Sequence, residues 1–261
     1  MPETGASGVT IRYDDLGRGE PAILCLPGWC APRTAFSELA AALSPRHRVL
    51  NLDWRGHGES AEPGTDFGSE ALVEDALAVI AASGAKRVVP LATAHAGWVA
   101  IELRRRLGDR IAKIVLIDWL VLDPPPPFLD ALRAMQDPRT SKPTVDALFD
   151  MWLTGSEDRT VIDFVRKEMG AFGFDMWARA AREISAAYAA EGNPLTALAG
   201  LQPPPPVLHI FALPKDEAFL TAQQSFAREH PWFQVRRLDT LTHFPTLEAP
   251  SIVARAVEEF L

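Results

Sequence analysis

The sequence predicts an α/β fold: a mostly parallel, doubly wound sheet with one block of helices inserted into it. Three observations carry this. Short apolar runs alternate with stretches of helical spacing through the first half of the chain and again near its end, as strands covered on both faces and joined by crossover helices do. Val88 to Trp98 passes from an apolar run through small residues into a helical pattern (His95, Trp98, Val99, Leu103, Leu107) closed by Gly108, which reads as strand, sharp turn and helix. Between two runs of four prolines, Pro124–Pro127 and Pro203–Pro206, the periodicity is helical only. Such runs are stiff and cannot continue a helix, so they bracket the insertion.

A chain of 261 residues, 48% of them hydrophobic, can bury a substantial core, and α/β folds of about 250 residues are commonly one domain. The expected division is a core of 1–122 and 203–261 and a helical cap of 123–202. A net charge of −8 argues against nucleic acid and against anionic membranes as partners, because both call for a basic surface. Met1 to Gly8 lacks the basic and apolar regions of a secretory signal, and no uninterrupted apolar run reaches about 18 residues, so a soluble, cytoplasmic protein is expected. Cys25 and Cys30 are expected as reduced thiols. No Cys/His spacing suggests zinc, and no metal is expected.

In chain order, Val9 to Tyr13 alternates like an outer strand, with Asp14 to Glu20 as its turn, and Ala22 to Leu26 is a buried strand ending in Pro27-Gly28-Trp29-Cys30. Thr34 to Leu43 is helical. Arg48 to Leu52 is a strand that runs into Asp53-Trp54-Arg55-Gly56-His57-Gly58-Glu59-Ser60, and Ser69 to Ala82 is the next helix. This D-x-R-G-x-G-x-S string, with the turn at Val88 to Trp98, resembles the α/β-hydrolase fold, in which a strained elbow lifts a nucleophile above the sheet edge and the loop after an earlier strand supplies an oxyanion-hole N–H. The elbow register puts Ala94 at the nucleophile position, between Thr93 and His95, and makes Trp29 a candidate oxyanion-hole residue, the alternative being a core tryptophan in a Pro-Gly turn. Asp53, Arg55 and His57 are expected to tie their loop together by charge-assisted hydrogen bonds rather than to catalyse.

Ile111 to Ile117 is the sixth strand of that fold and ends at Asp118-Trp119; a carboxylate there lies on the ligand edge of an open α/β sheet. The cap follows, with helices at Phe128–Met135, Thr144–Leu153, Thr160–Ala171 and Asp175–Ala190, and more aromatic residues than helix packing needs. Then come a strand at Val207–Phe211, a helix at Ala218–Arg228, the last strand at Gln234–Leu238, the loop Thr242-His243-Phe244-Pro245 and the final helix at Ser251–Leu261. His243 stands where this fold carries its catalytic histidine, after the last strand and before the terminal helix. Two carboxylates compete to support it, Asp118 and Asp216 after the seventh strand.

Asp53-Trp54-Arg55-Gly56-His57-Gly58, His95 with Gly97-Trp98, Ile117-Asp118-Trp119-Leu120, Phe149-Asp150-Met151-Trp152-Leu153, His230-Pro231-Trp232-Phe233 and Thr242-His243-Phe244-Pro245 together resemble the cofactor-free 3-hydroxy-4(1H)-quinolone 2,4-dioxygenases over nearly the whole chain. The resemblance implies a catalytic His243/Asp118 dyad, with His243 as general base and Asp118 favoured over Asp216. It places Trp29, Cys30, Thr93, Ala94, His95 and Trp152 against the substrate and implies no cofactor. The partners it implies are a small aromatic heterocycle and dioxygen, converted to an N-acylanthranilate with release of carbon monoxide. Two residues depart from the family pattern: Ala94, where members keep a dispensable serine, and Ala31, where some carry histidine. Both remove polar bulk, and with the apolar cap they predict a 2-alkyl substrate such as the 2-heptyl quorum-sensing quinolone. The alternatives are a binding protein or inactive hydrolase relic, and a hydrolase recruiting Cys30 or Thr93 as nucleophile.

Overall fold

A computed structural model describes residues 2–261. In chain order the elements are β1 (Glu3–Ala6), β2 (Val9–Leu16), β3 (Ala22–Leu26), α1 (Ser37–Leu43), β4 (Val49–Leu52), α2 (Ser69–Ser83), β5 (Val88–Thr93), α3 (Gly97–Leu107), β6 (Ile114–Ile117), α4 (Pro126–Met135), α5 (Ser141–Trp152), α6 (Arg159–Asp163), α7 (Phe174–Glu191), α8 (Pro194–Ala199), β7 (Val207–Phe211), α9 (Glu217–Glu229), β8 (Phe233–Arg237), α10 (Pro245–Glu248) and α11 (Pro250–Phe260). Among the described residues the eight strands form one sheet in the order β1-β2-β4-β3-β5-β6-β7-β8, antiparallel as far as β4 and parallel beyond it. Strands β3, β4, β6 and β7 are buried throughout, because α1 packs with α11 and α2 with α3 as layers over the sheet. This is the α/β-hydrolase architecture.

Several elements differ from the sequence reading. Strand β1 has no alternation to announce it, and it forms by pairing with β2. Strand β2 runs on to Leu16, because Asp15 is satisfied by Arg48 (2.8 and 2.6 Å) and Asp14 by Arg33 (3.2 Å). The sixth strand begins only at Ile114. Pro90 of β5 has no N–H for the β5–β6 ladder, so the pairing is continuous from Leu91 onward and shrinks to an isolated Val88–Ile111 bridge before it. The expected helix at 160–171 divides into α6, a π-helical turn at Phe164–Glu168 and a 3₁₀ turn at Met169–Ala171, which together bury Val161, Phe164, Val165 and Met169. Helix α8 has no counterpart in the sequence reading; Asn193 caps it by accepting the Thr196 N–H at 3.0 Å.

Candidate active site

The register Thr93↔Ile117 and Ile117↔Ile210 levels the ends of the three central strands, so the residues that follow them share one edge. Asp118 leaves β6 there with φ of 49° and is buried. Its Oδ1 accepts the N–H groups of Ala212 (2.6 Å) and Leu213 (3.0 Å), and its Oδ2 meets His243 Nδ1 at 2.7 Å. A carboxylate can only accept, so Nδ1 is the donor in this bond, and in the neutral imidazole the lone pair is left on Nε2. Asp216 is exposed and serves α9 instead, capping it by accepting the Ala218 N–H at 2.8 Å. The competition between the two carboxylates ends with Asp118 at the histidine.

The turn after β5 faces this pair. Ala94 has φ of 47°, the left-handed kink of an elbow, and Thr93, Ala94 and His95 are half-buried within an otherwise buried segment. Gly97 is required just beyond, since a Cβ there would lie 2.2 Å from the Trp119 ring. Thr93 Oγ1 accepts the Gly28 N–H at 2.9 Å, and His57 Nε2 accepts that of Cys30 at 3.1 Å. Among the described residues no acceptor meets the Trp29 N–H between them. His57 donates from Nδ1 to Arg55 O (2.9 Å), and burial lowers its pKa to about 4, so it is a neutral brace for the loop. Arg55 pairs with Asp75 at 2.6 Å, and Asp53 accepts the N–H groups of Arg33 (2.7 Å) and Glu59 (2.9 Å). These residues hold the loop, as their motif suggested.

Neither alternative nucleophile is positioned to act. Cys30 is fully buried, and burial pushes its thiol pKa well up, away from the reactive thiolate. Among the described residues neither Cys30 nor Thr93 hydrogen-bonds to His243.

Aromatic rings close the remaining sides. Trp152, at the end of α5, stacks on His243 with centroids 5.2 Å apart and 17° between planes, and touches Phe244 edge-on. Trp29 stacks on Phe67 at 5.9 Å, and the Arg179 guanidinium lies 4.2 Å from the centroid of that phenyl ring. His95 lies against Phe128 at 5.5 Å, and its Nδ1 accepts the Trp119 Nε1–H at 3.2 Å, so its proton sits on Nε2. Burial first, and the neighbouring His243 imidazole second, lower the His95 pKa to about 3. Within the insertion a cavity of about 380 Å³ is lined by Val145, Phe149, Phe172 and Trp177 and also by the charged Lys142, Asp146 and Arg166; Phe149 touches Trp152, and Phe172 touches His57. Phe67, Phe128, Arg179 and the two N–H groups holding Asp118 escaped the sequence reading. Only contacts between distant segments reveal them.

The described residues contain no cluster of three His, Cys, Asp or Glu side chains suited to a metal, and no helix long and apolar enough to cross a membrane.

A hydrolase sheet, an elbow that carries Ala94 at its tip and a histidine–carboxylate pair define the class: an α/β-hydrolase-fold protein with alanine at the nucleophile position. The chain belongs to the alpha/beta hydrolase family, whose model matches residues 23–256, and within it to the group of the 3-hydroxy-4-quinolone dioxygenases. It is 36% identical to a 2-heptyl-3-hydroxy-4(1H)-quinolone dioxygenase of Mycobacteroides abscessus, over 98% of this chain and 96% of that one. It is likewise 36% identical to a 1H-3-hydroxy-4-oxoquinoline 2,4-dioxygenase of Pseudomonas putida, over 100% and 99%. The solved structure of an AqdC variant with its substrate, a study of ring cleavage of the Pseudomonas quinolone signal, superimposes with a TM-score of 0.95 at 34% identity, covering 99% of this chain and 98% of that one. The chain is an enzyme.

Proposed function

We propose that this enzyme cleaves the heterocycle of a 2-alkyl-3-hydroxy-4(1H)-quinolone with dioxygen, releasing carbon monoxide and an N-acylanthranilate, and that it needs no cofactor. The observation that carries the reading is the intact His243–Asp118 hydrogen bond beside an alanine at the nucleophile position. A serine hydrolase without its nucleophile loses many powers of ten in rate. A protein that only bound its ligand would have no use for a buried carboxylate fixed by two N–H groups behind a histidine.

The chemistry follows from the pair. His243 Nε2 takes the 3-hydroxyl proton, and Asp118 stabilises the imidazolium. The electron-rich anion reduces dioxygen, and the two oxygen atoms become bound to C2 and C4. The O–O, C2–C3 and C3–C4 bonds break, C3 departs as carbon monoxide with its oxygen, and the product leaves as a carboxylate while His243 returns its proton to water. Trp152 and Trp29 hold the flat ring, the Trp29 N–H and His95 Nε2–H offer donors to its oxygens, and Thr93 and Ala94 form the floor. Cys30 contributes its backbone. Anaerobic mixing with the 2-heptyl compound, followed by admission of oxygen and assay of carbon monoxide, tests the reading: oxygen uptake matched by carbon monoxide is expected, and uptake without it overturns the assignment.

A further inference from the structure

A buried polar pair lies behind the dyad and takes no part in the steps above. His209, in the middle of β7, and Gln223, on α9, are both fully buried. His209 Nε2 accepts the Trp119 N–H at 3.3 Å, its Nδ1 donates to Gln223 Oε1 at 2.6 Å, and Gln223 Nε2 donates to Phe219 O at 3.3 Å. The direction of this chain is fixed at both ends. A backbone N–H can only donate and a backbone carbonyl can only accept, so His209 is the Nδ1–H tautomer.

Trp119 directly follows Asp118, whose φ of 49° is a conformation that a non-glycine residue holds only where its surroundings impose it. Its own carboxylate contacts secure the side chain. The peptide that follows is secured by His209. We propose that His209, oriented by Gln223, is a positioning residue of the dyad, its grip on the Trp119 N–H locking the left-handed turn that aims Asp118 at His243. The inference rests on the dyad reading above. Burial lowers the His209 pKa to about 4, so the acceptor survives through neutral pH; the Phe211 and Phe219 rings flank the imidazole, and Asp118 is the charged group facing it. His243 itself is faced by Asp118, His95 and Trp152.

The test compares His209→Phe, His209→Gln and Gln223→Glu in the full chain by steady-state kinetics across pH, at a temperature where thermal unfolding shows each to be folded. His209→Phe keeps a ring but no acceptor. It is expected to lower kcat about tenfold, the equivalent of one lost buried hydrogen bond, with a much smaller change in KM and a displaced acidic limb of the kcat profile. Gln223→Glu favours a doubly protonated imidazole that turns a donor toward the Trp119 N–H, and it should reproduce this profile with the histidine in place. His209→Gln can return an oxygen to the position of Nε2 and should recover part of the rate. A folded His209→Phe with unaltered kcat and pH profile overturns the proposal, as does lowered thermal stability in all three with kcat and pH profile unchanged. If His209→Phe does not fold, wild-type kinetics in Gln223→Glu overturns it. His243→Ala run in parallel separates the two claims: full turnover there defeats the dyad reading, whereas a dead His243→Ala beside wild-type-like His209 and Gln223 variants defeats only this one.

Discussion

Asp118 and His243, 125 residues apart in the chain, meet at 2.7 Å while the second Asp118 oxygen is taken by two backbone N–H groups. The side chain therefore cannot rotate freely, and what it presents to the histidine is determined by its chemistry alone. In Asp118→Asn the remaining oxygen would stay with Ala212 and Leu213, and the NH₂ group would face Nδ1, driving the imidazole proton onto Nε2 where the base is needed. Asp118→Asn should thus lower kcat about as much as His243→Ala, on the order of 10³-fold, and Asp118→Ala, which leaves the tautomer free, should be milder. Equal rates for Asp118→Asn and wild type would show that His243 is not the base.

Ala94 leads to a separate expectation. A serine can adopt the same backbone conformation as this alanine at φ of 47°, and the proposed reaction has no covalent step at the position. Ala94→Ser should leave ring cleavage within about threefold of wild type, a change of the size that one minor contact makes. Wild-type protein should give no burst on p-nitrophenyl acetate; a stoichiometric burst would point to acyl-enzyme chemistry instead.

The features legible in the sequence were the local ones. The elbow, the Asp53–Ser60 loop and the position of His243 depend on residues close in the chain, and all form as read. Features created by long-range pairing were hidden. Strand β1 exists because β2 lies beside it, and the start of β6 is set by a proline on the neighbouring strand. The choice between Asp118 and Asp216 also required the fold, since each follows a central strand and only the register decides which one faces the histidine. His209 did carry a signal, as the single polar residue in Val-Leu-His-Ile-Phe, but its partner Gln223 sits on a helix fourteen positions away.

Three histidines refuse protons in the folded state. Burial lowers His57 and His209 to about 4 and His95 to about 3, against 6.5 ordinarily. The unfolded chain takes up protons below pH 6.5 that the folded chain does not, so stability falls as pH drops from about 6.5 to about 4 and is independent of these groups above that window. Each contributes a slope of up to ~1.4 kcal/mol per pH unit. Urea midpoints measured between pH 7 and 4.5 should show the decline, and His57→Gln should flatten it by about one histidine's share. An unchanged slope in that variant would mean that His57 titrates normally.

Trp152 stacks on the His243 ring from the insertion, and the proposed reaction sets it against the heterocycle. Removing it takes away stacking worth roughly 0.5–1.5 kcal/mol together with buried area, so Trp152→Ala should raise KM by about tenfold or more, and Trp152→Phe by less. A fall in kcat with unchanged KM would assign the indole to orienting His243 rather than to holding substrate.

The length of the 2-alkyl chain is the last point open to measurement. The cavity of about 380 Å³ in the insertion has Phe149 in its wall, and Phe149 touches Trp152. The aromatic part of that lining rewards length, while Lys142, Asp146 and Arg166 make up its charged part: each buried methylene contributes about 0.8 kcal/mol, so a heptyl tail enclosed over most of its extent could gain roughly 4 kcal/mol over methyl. Ordering the chain on binding removes part of that gain, so the rise should be largest over the first added carbons and then level off. The expected result is a kcat/KM that climbs through methyl, propyl, pentyl and heptyl, with the increase appearing mainly in KM because the tail is bound equally in ground and transition states. Phe149→Trp, which adds bulk at the cavity wall, should penalise heptyl more than methyl. A flat series, or an equal penalty on both substrates, would place the tail outside the insertion while leaving the ring chemistry at His243 untouched.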